Sequence, residues 1–88
     1  MKVTIRYYAG ARAAAGLEEE AVDAAEGITV AELSALLAAR HGSGLARVLG
    51  VSSFLVDEVA TGPERLVPAG ATLDVLPSRG QPRTTLLA

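Results

Sequence analysis

The 88-residue sequence predicts a single α+β domain in which one principal helix covers one sheet. Three observations support this. The opening residues KVTIRYY alternate between apolar and polar side chains, as a half-buried strand does. The stretch GITVAELSALLAARHG carries start, face and stop signals of an amphipathic helix. Short strand-like stretches bounded by glycine and proline follow it.

The first strand is expected to bury Val3, Ile5 and Tyr7 on one face. The next stretch, AGARAAAG, is rich in alanine, but Gly10 and Gly16 bracket it, so we expect at most one helical turn there. LEEEAVDA is expected to form a second strand, paired with the first as a hairpin, although glutamate is a poor strand former.

The helix is the best-marked element. Thr29 and Glu32 have the spacing of a capping box, in which each side chain hydrogen-bonds the other residue's backbone N–H. Arg40 and His41 are expected at the carbonyl end, where positive charge is favoured, with Gly42 as a left-handed cap. The apolar stripe consists of Val30, Leu33, Leu36 and Leu37.

Beyond the helix, SGLARVLG predicts a short helical turn, SFLVDEV a strand, ATGPER a turn, RLV a short strand, and TLDVLP the last strand. The order β-β-α-β-β(-β) favours the β-grasp, or ubiquitin-like roll, in which the first and last strands lie side by side at the centre of the sheet. The chain after Pro77 would then leave from a central strand. We expect a β-grasp domain over 1–78 and a C-terminal tail over 79–88.

Composition excludes several classes of function. The net charge of −2 gives no case for nucleic acid, which requires a clustered basic face. The absence of cysteine excludes disulfides and thiolate metal sites and fits a cytoplasmic protein. No apolar run is long enough to predict a membrane span. The single histidine, His41, is interpreted as a capping residue and not as a zinc ligand. We therefore expect no cofactor and no metal.

No self-sufficient active site is predicted. The glycines after the first strand lack the Gly-Lys-Ser/Thr of a phosphate-binding loop, and no base is placed to activate a serine. Asp57 and Glu58, expected as neighbours on a strand, would point to opposite faces and form no carboxylate pair. The acidic run from Glu18 to Glu26 is interpreted as a solvated strand face, with a docking surface for a basic partner as the alternative.

The sequence resembles a known family. VTIRYYAGARAAAGLEEE resembles the opening of the MoaD/ThiS ubiquitin-like sulfur carriers, particularly the small subunit of molybdopterin synthase. The pair Tyr8-Ala9, followed by Arg12, a glycine and three glutamates, matches that family's opening. TVAELSALLAARHG resembles its helix, FLVDEV sits where it has its third strand, and LVPAGATLDVLP resembles its last turn and strand. The resemblance extends from Val3 to about Pro77.

The resemblance implies chemistry at the C-terminus. In that family an E1-like enzyme adenylates a terminal Gly-Gly, sulfur transfer makes a thiocarboxylate, and the large subunit of molybdopterin synthase uses it. Glycine suits such a tail because it has no Cβ and can thread a narrow channel. The resemblance implies a thiocarboxylate at Gly80 after processing. It also implies partner contacts from the sheet face that the helix leaves uncovered. The partner-binding candidates are Pro77, Ser78, Arg79, Gly80, Gln81, Tyr8 and Phe54.

The sequence departs from the family at this end. After LP it continues SRGQPRTTLLA, so Gln81 and Pro82 fall at the two glycines or, with one residue deleted, Gly80 and Gln81 do. One interpretation is a sulfur carrier whose last residues are removed, tolerated by an unusual partner, or characteristic of a variant gene. The other is a ubiquitin-like binding module that has lost the carrier reaction. The destination of the sulfur, in molybdopterin, thiamine or cysteine, stays open because the partners set it. Residues 79–88 are expected to be mobile in the free monomer.

Overall fold

The structure of the protein is a computed structural model that describes residues 1–77. The tail predicted over 79–88 lies outside the described residues, as does Ser78. In chain order the elements are β1 (Lys2–Tyr7), α1 (Ala9–Ala15), β2 (Glu19–Asp23), α2 (Val30–His41), α3 (Ser43–Leu49), β3 (Ser52–Val56), β4 (Val59–Thr61) and β5 (Thr72–Pro77).

The five strands form one mixed sheet in the order β2-β1-β5-β3-β4. β1 and β5 run parallel at its centre, whereas β2 pairs with β1, and β3 with β4 and β5, in antiparallel fashion. α1 lies within the first hairpin, between β1 and β2, whereas α2 and α3 form the crossover from the first hairpin to the second. The β-grasp topology predicted from the sequence is confirmed.

One hydrophobic core lies between the sheet and the helices. The predicted inward face of β1 is confirmed, since Val3, Ile5 and Tyr7 are buried there. Leu73 and Val75 of β5 lie on the same face. All three helices contribute to this core, through Ala11 of α1, Val30, Leu33 and Leu37 of α2, and Leu45 and Leu49 of α3.

Both ends of α2 are defined by hydrogen bonds. The Glu32 N–H donates to Thr29 Oγ1 at 3.1 Å, and the Thr29 N–H donates to Glu32 Oε1 at 2.9 Å, so the predicted capping box is confirmed. At the other end the Gly42 N–H donates to the Ala38 carbonyl at 2.8 Å. Gly42 has φ 98° and ψ −173°, so its positive φ needs glycine, but the conformation is not the left-handed helical cap that was predicted.

Three other expectations are wrong. AGARAAAG forms the seven-residue helix α1, longer than one turn, which ends at Gly16 with φ 80°. SFLVDEV is not one strand, because the chain turns at Asp57 and Glu58 between β3 and β4. Those two residues are therefore turn residues and do not alternate across a strand. The predicted short strand RLV contributes only an isolated bridge between Thr29 and Leu66.

No helix in the described part of the chain is long and apolar enough to cross a membrane.

Candidate functional site: the outer face of the sheet

The sheet face opposite the helices, here called the outer face, is crossed by one row of residues from all five strands. Residues paired directly across neighbouring strands point to the same face. Arg6 of β1 pairs with Glu19 of β2 and with Asp74 of β5, and Leu55 of β3 pairs with Asp74 and with Ala60 of β4. The row therefore runs Glu19, Arg6, Asp74, Leu55, Ala60 across the sheet.

Arg6 is held in place by its neighbours in this row and by Tyr8. Its Nε donates to the Tyr8 hydroxyl at 2.9 Å, and its Nη2 donates to the same oxygen. Its guanidinium carbon lies 5.8 Å from the centroid of the Tyr8 ring. The hydrogen bonds to Tyr8 and the charge of Asp74 together raise the pKa of Arg6. Arg6 is thus a fixed, permanently charged group in the middle of the outer face.

Asp74 is the only charged residue among residues 1–77 that is buried, with 4 % of its surface exposed. Burial raises the pKa of the Asp74 carboxyl, the charge of Arg6 opposes that shift, and the charge of Glu58 adds to it. Arg6 Nε lies 3.1 Å from Asp74 Oδ1, within ion-pair distance. Within residues 1–77, Oδ1 nevertheless accepts no hydrogen bond, since the single hydrogen of Arg6 Nε points to the Tyr8 hydroxyl.

The structure corrects the predicted position of Phe54. Phe54 pairs with Val75, whose side chain lies in the core, and it packs against that core half-buried. It therefore points away from the outer face, and Leu55 occupies the corresponding position there. Tyr8, the other predicted anchor, follows β1 and is half-buried beside Arg6.

The predicted C-terminal site is described only at its first residue. Pro77 is the last residue of the central strand β5, half-buried and paired with Ser52 at the start of β3. The other candidates, Ser78, Arg79, Gly80 and Gln81, lie outside the described residues. Pro77 is thus the last described residue of β5, and it lies next to the end of β1.

Sequence reasoning missed Arg6, Asp74, Leu55 and Glu58 as candidates. A signal was present, because an acid in the middle of TLDVLP is unusual for a central strand. The alternation of KVTIRYY also put Arg6 on the polar side of β1. What the sequence did not give was the register that makes these two residues neighbours.

A second polar cluster lies on the inner side and joins the sheet to the end of α2. The Tyr7 hydroxyl donates to Glu20 Oε2 at 2.6 Å, Arg40 Nε donates to Glu20 Oε1 at 3.0 Å, and His41 Nε2 contacts Glu20 Oε2. Burial alone would raise the pKa of Glu20, but the hydrogen bonds from Tyr7 and His41 lower it below its ordinary value. His41 thus binds a β2 carboxylate and does not serve as the predicted helix cap.

A shallow polar cleft of about 230 Å³ opens beside Tyr8, between α1 and the β1–β2 hairpin. Two arginines and two glutamates line it, and one pair is already joined, with Arg12 Nη1 3.2 Å from Glu18 Oε2. Residues 1–77 contain no group of histidine, aspartate and glutamate side chains that could hold a metal ion.

No protein-family model and no curated protein matches the sequence. Solved structures do match. SAMP1 from Haloferax volcanii superposes with a TM-score of 0.80 at 21% identity, and the match covers 93% of this chain and 100% of that one. A Pyrococcus furiosus protein described as molybdopterin converting factor subunit 1 superposes with a TM-score of 0.75 at 21% identity, covering 88% of this chain and 97% of that one.

A third match comes from a complex of subunits 1 and 2 of the molybdopterin-converting factor from Helicobacter pylori. It has a TM-score of 0.65 and 20% identity, and covers 93% of this chain and 100% of the matched chain. At these identities the likeness shows the fold. This chain has the ubiquitin-like β-grasp fold of the small archaeal modifier proteins and of MoaD-type subunits.

Proposed function

We propose that this protein is a ubiquitin-like sulfur carrier that acts as the small subunit of molybdopterin synthase in the cytoplasm. One observation carries the proposal: β5, a central strand that runs parallel to β1, reaches Pro77 beside the end of β1, so the described chain has its last residue at the middle of the sheet. A carrier needs its reactive terminus at such a point, where a partner can grip the sheet and receive the terminus together. The shared fold with MoaD-type subunits supports the same role.

The chemistry requires a free carboxylate near the end of β5. In this proposal the chain is cut after Gly80, and an E1-like enzyme joins the new carboxylate to AMP, releasing pyrophosphate from ATP. Hydrosulfide from a sulfur donor then attacks the acyl carbon, AMP leaves, and a thiocarboxylate remains on Gly80. The thiocarboxylate then donates its sulfur in the complex with the large subunit of molybdopterin synthase. The protein has no catalytic activity alone.

A second candidate function is a ubiquitin-like binding module without sulfur chemistry. The specific observation in its favour is that the sequence contains no Gly-Gly pair. Such a module would keep the docking surface of the sheet and would need no activated terminus.

Three forms of the protein separate the two candidates: the full chain, a form ending at Gly80, and a form ending at residue 81 with Gln81→Gly. Each is incubated with the E1-like enzyme of the same organism, ATP and a sulfur donor. Intact-mass spectrometry then detects the exchange of one oxygen for one sulfur. All three forms retain residues 1–77, so differences among them report on the terminus.

We expect no thiocarboxylate on the full chain, some on the form ending at Gly80, and most on the form ending in Gly-Gly. Ready modification of the full chain would contradict the processing step. Failure of the Gly-Gly form with its cognate enzyme would favour the binding module. Formation of molybdopterin from its precursor by the thiocarboxylated form plus the large subunit would distinguish this carrier from one serving thiamine or cysteine.

A further inference from the structure

The outer face has an excess of negative charge around its centre. Arg6 has Glu19 and Asp74 as its cross-strand neighbours. Glu58, in the turn after β3, lies close enough for its charge to act on both Arg6 and Asp74. One guanidinium is therefore set against three carboxylates, which leaves two negative charges without a positive counterpart in this group. A basic partner is attracted by such a surface, and an acidic one is repelled.

Asp74 has an unused acceptor at the centre of this group. A buried carboxylate oxygen normally accepts a hydrogen bond, because leaving it without one costs free energy. Asp74 Oδ1 receives none within residues 1–77, although Arg6 Nε lies 3.1 Å from it. Arg6 supplies charge there, but its Nε hydrogen is committed to Tyr8. This oxygen is itself closed to solvent, so an N–H donor from outside the chain would satisfy it only as the side chains over it move aside.

Glu58 has a backbone conformation that is unfavourable for its residue type. It is the second residue of the β3–β4 turn and has φ 70°, a left-handed conformation that asparagine and glycine adopt more easily. No hydrogen bond or ion pair to another residue within 1–77 explains its side chain. Strained backbone conformations cluster at sites that bind a ligand or partner, so Glu58 is a candidate for such a contact.

Apolar residues border the charged group. Leu55 lies beside Asp74 in the central row and is half-buried, and Ala60 follows it on the edge strand β4. Leu76, two residues beyond Asp74 on β5, is also half-buried and belongs to the same face. Apolar neighbours of this kind exclude water from a central polar contact when a partner covers them.

We propose that the outer face is a docking surface for a basic segment of a protein partner, with an arginine side chain entering between Asp74 and Glu58. Arginine fits better than lysine because its planar fork can donate to two carboxylates at once. This docking proposal adds detail to the proposed function. It rests on that function in one respect, which is that the partner is taken to be the large subunit of molybdopterin synthase.

The first test uses the full 88-residue chain and a short probe. Acetylated, amidated triarginine is titrated into the labelled protein, and backbone chemical shifts are followed by NMR. Tricitrulline, which has the same shape without charge, and triglutamate are the control peptides. We expect triarginine to shift the resonances of Arg6, Leu55, Glu58, Ala60 and Asp74, and neither control to do so.

Three variants make the test specific. Glu58→Gln should weaken triarginine binding about two- to fivefold, as the loss of one exposed ion pair does. Asp74→Asn should weaken it about tenfold, because a charged hydrogen-bond acceptor is lost. Glu26→Gln removes the same charge at an exposed site before α2 and should leave binding unchanged. Glu58 is exposed in a turn, so Glu58→Gln remains informative if Asp74→Asn impairs folding.

The proposal is overturned if triarginine shifts no outer-face resonance or shifts Asp23 and Glu26 instead. Binding of triglutamate to this face, or equal effects of Glu58→Gln and Glu26→Gln, would also overturn it.

The second test separates this proposal from the proposed function. The association rate with the large subunit of molybdopterin synthase is measured over a range of salt concentrations. We expect a rate that falls with salt for the full chain and falls less steeply for Glu58→Gln, since exposed charges steer association. If the large subunit does not bind but triarginine occupies the outer face, the docking surface stands and the proposed function fails. If it binds Glu58→Lys as well as the unaltered chain, the docking surface is wrong and the proposed function stands.

Discussion

The substitution Glu58→Gly tests whether the β3–β4 turn carries strain. Asp57 and Glu58 have φ values of 48° and 70°, the pattern of a two-residue hairpin turn that favours Asn-Gly. A non-glycine residue in this conformation costs about 1–2 kcal/mol. Replacing Glu58 by glycine removes this cost, but glycine also stabilises the unfolded chain by about 0.4–1 kcal/mol because it increases its conformational freedom. The net prediction is a gain in the free energy of unfolding of about 0.5–1 kcal/mol.

Denaturant unfolding of the full chain measures this gain. The slope of the free energy of unfolding against denaturant concentration is compared between variants. Glu58→Gln removes the charge and keeps the strain, so it should gain less than Glu58→Gly. Asp57→Gly is the matched control for the neighbouring position. Asp57 Oδ1 accepts a hydrogen bond from the Thr72 N–H at 3.0 Å. Because Asp57→Gly removes this bond, it should not raise the free energy of unfolding.

Two results would refute the reasoning. If Glu58→Gly is neutral or destabilising, the turn stores no strain. If Glu58→Gln stabilises as much as Glu58→Gly, the gain comes from charge and not from backbone conformation. The docking proposal adds that Glu58→Gly should be more stable and bind triarginine less well, a trade of stability against function.

Three further predictions concern the fold. Thr29→Ala should lower the free energy of unfolding by about 1 kcal/mol in denaturant melts, because the helix N-cap is lost; a neutral result would mean that the cap does not stabilise α2. Leu33→Ala should cost about 3 kcal/mol, since this fully buried side chain leaves a cavity, whereas Ala35→Gly, at an exposed site in the interior of α2, should cost about 1 kcal/mol. Glu20 has a lowered pKa in the folded state, so its contribution is present above its unfolded pKa and lost as pH falls through the folded one. Glu20→Gln should therefore flatten the acid limb of a stability–pH profile, and an unchanged limb would contradict this.

Elements with local signals could be predicted from the sequence. β1 alternates, α2 carries a capping box, and β5 ends at a proline, and all three appear where expected. The β3–β4 turn could not be predicted, because Asp57-Glu58 has no glycine or asparagine to mark it. The turn is held by tertiary contacts instead, with the Asp57 N–H donating to the Thr72 carbonyl at 2.9 Å.

The outer face depends on a register that the local sequence does not encode. In SFLVDEV, apolar residues occupy adjacent positions, so alternation does not tell which of Phe54 and Leu55 faces the core. Pairing with β5 decides it, because Phe54 lies opposite Val75 and Leu55 opposite Asp74. A shift of one residue would have reversed the two roles.

The carboxylates of Glu20 and Asp74, both shielded from solvent, differ in their hydrogen bonds and in the direction of their pKa shifts. This difference indicates a structural role for one and a binding role for the other. Glu20 receives hydrogen bonds from Tyr7 and Arg40 and a contact from His41, and its pKa is lowered. Such a group fixes β2 against the end of α2. Asp74, on the other side of the sheet, has an oxygen that accepts no hydrogen bond from residues 1–77, and burial raises the pKa of its carboxyl. Within the described residues the fold thus satisfies Glu20 and leaves Asp74 incomplete, and the docking proposal accounts for this difference because a partner's arginine would supply the missing donor.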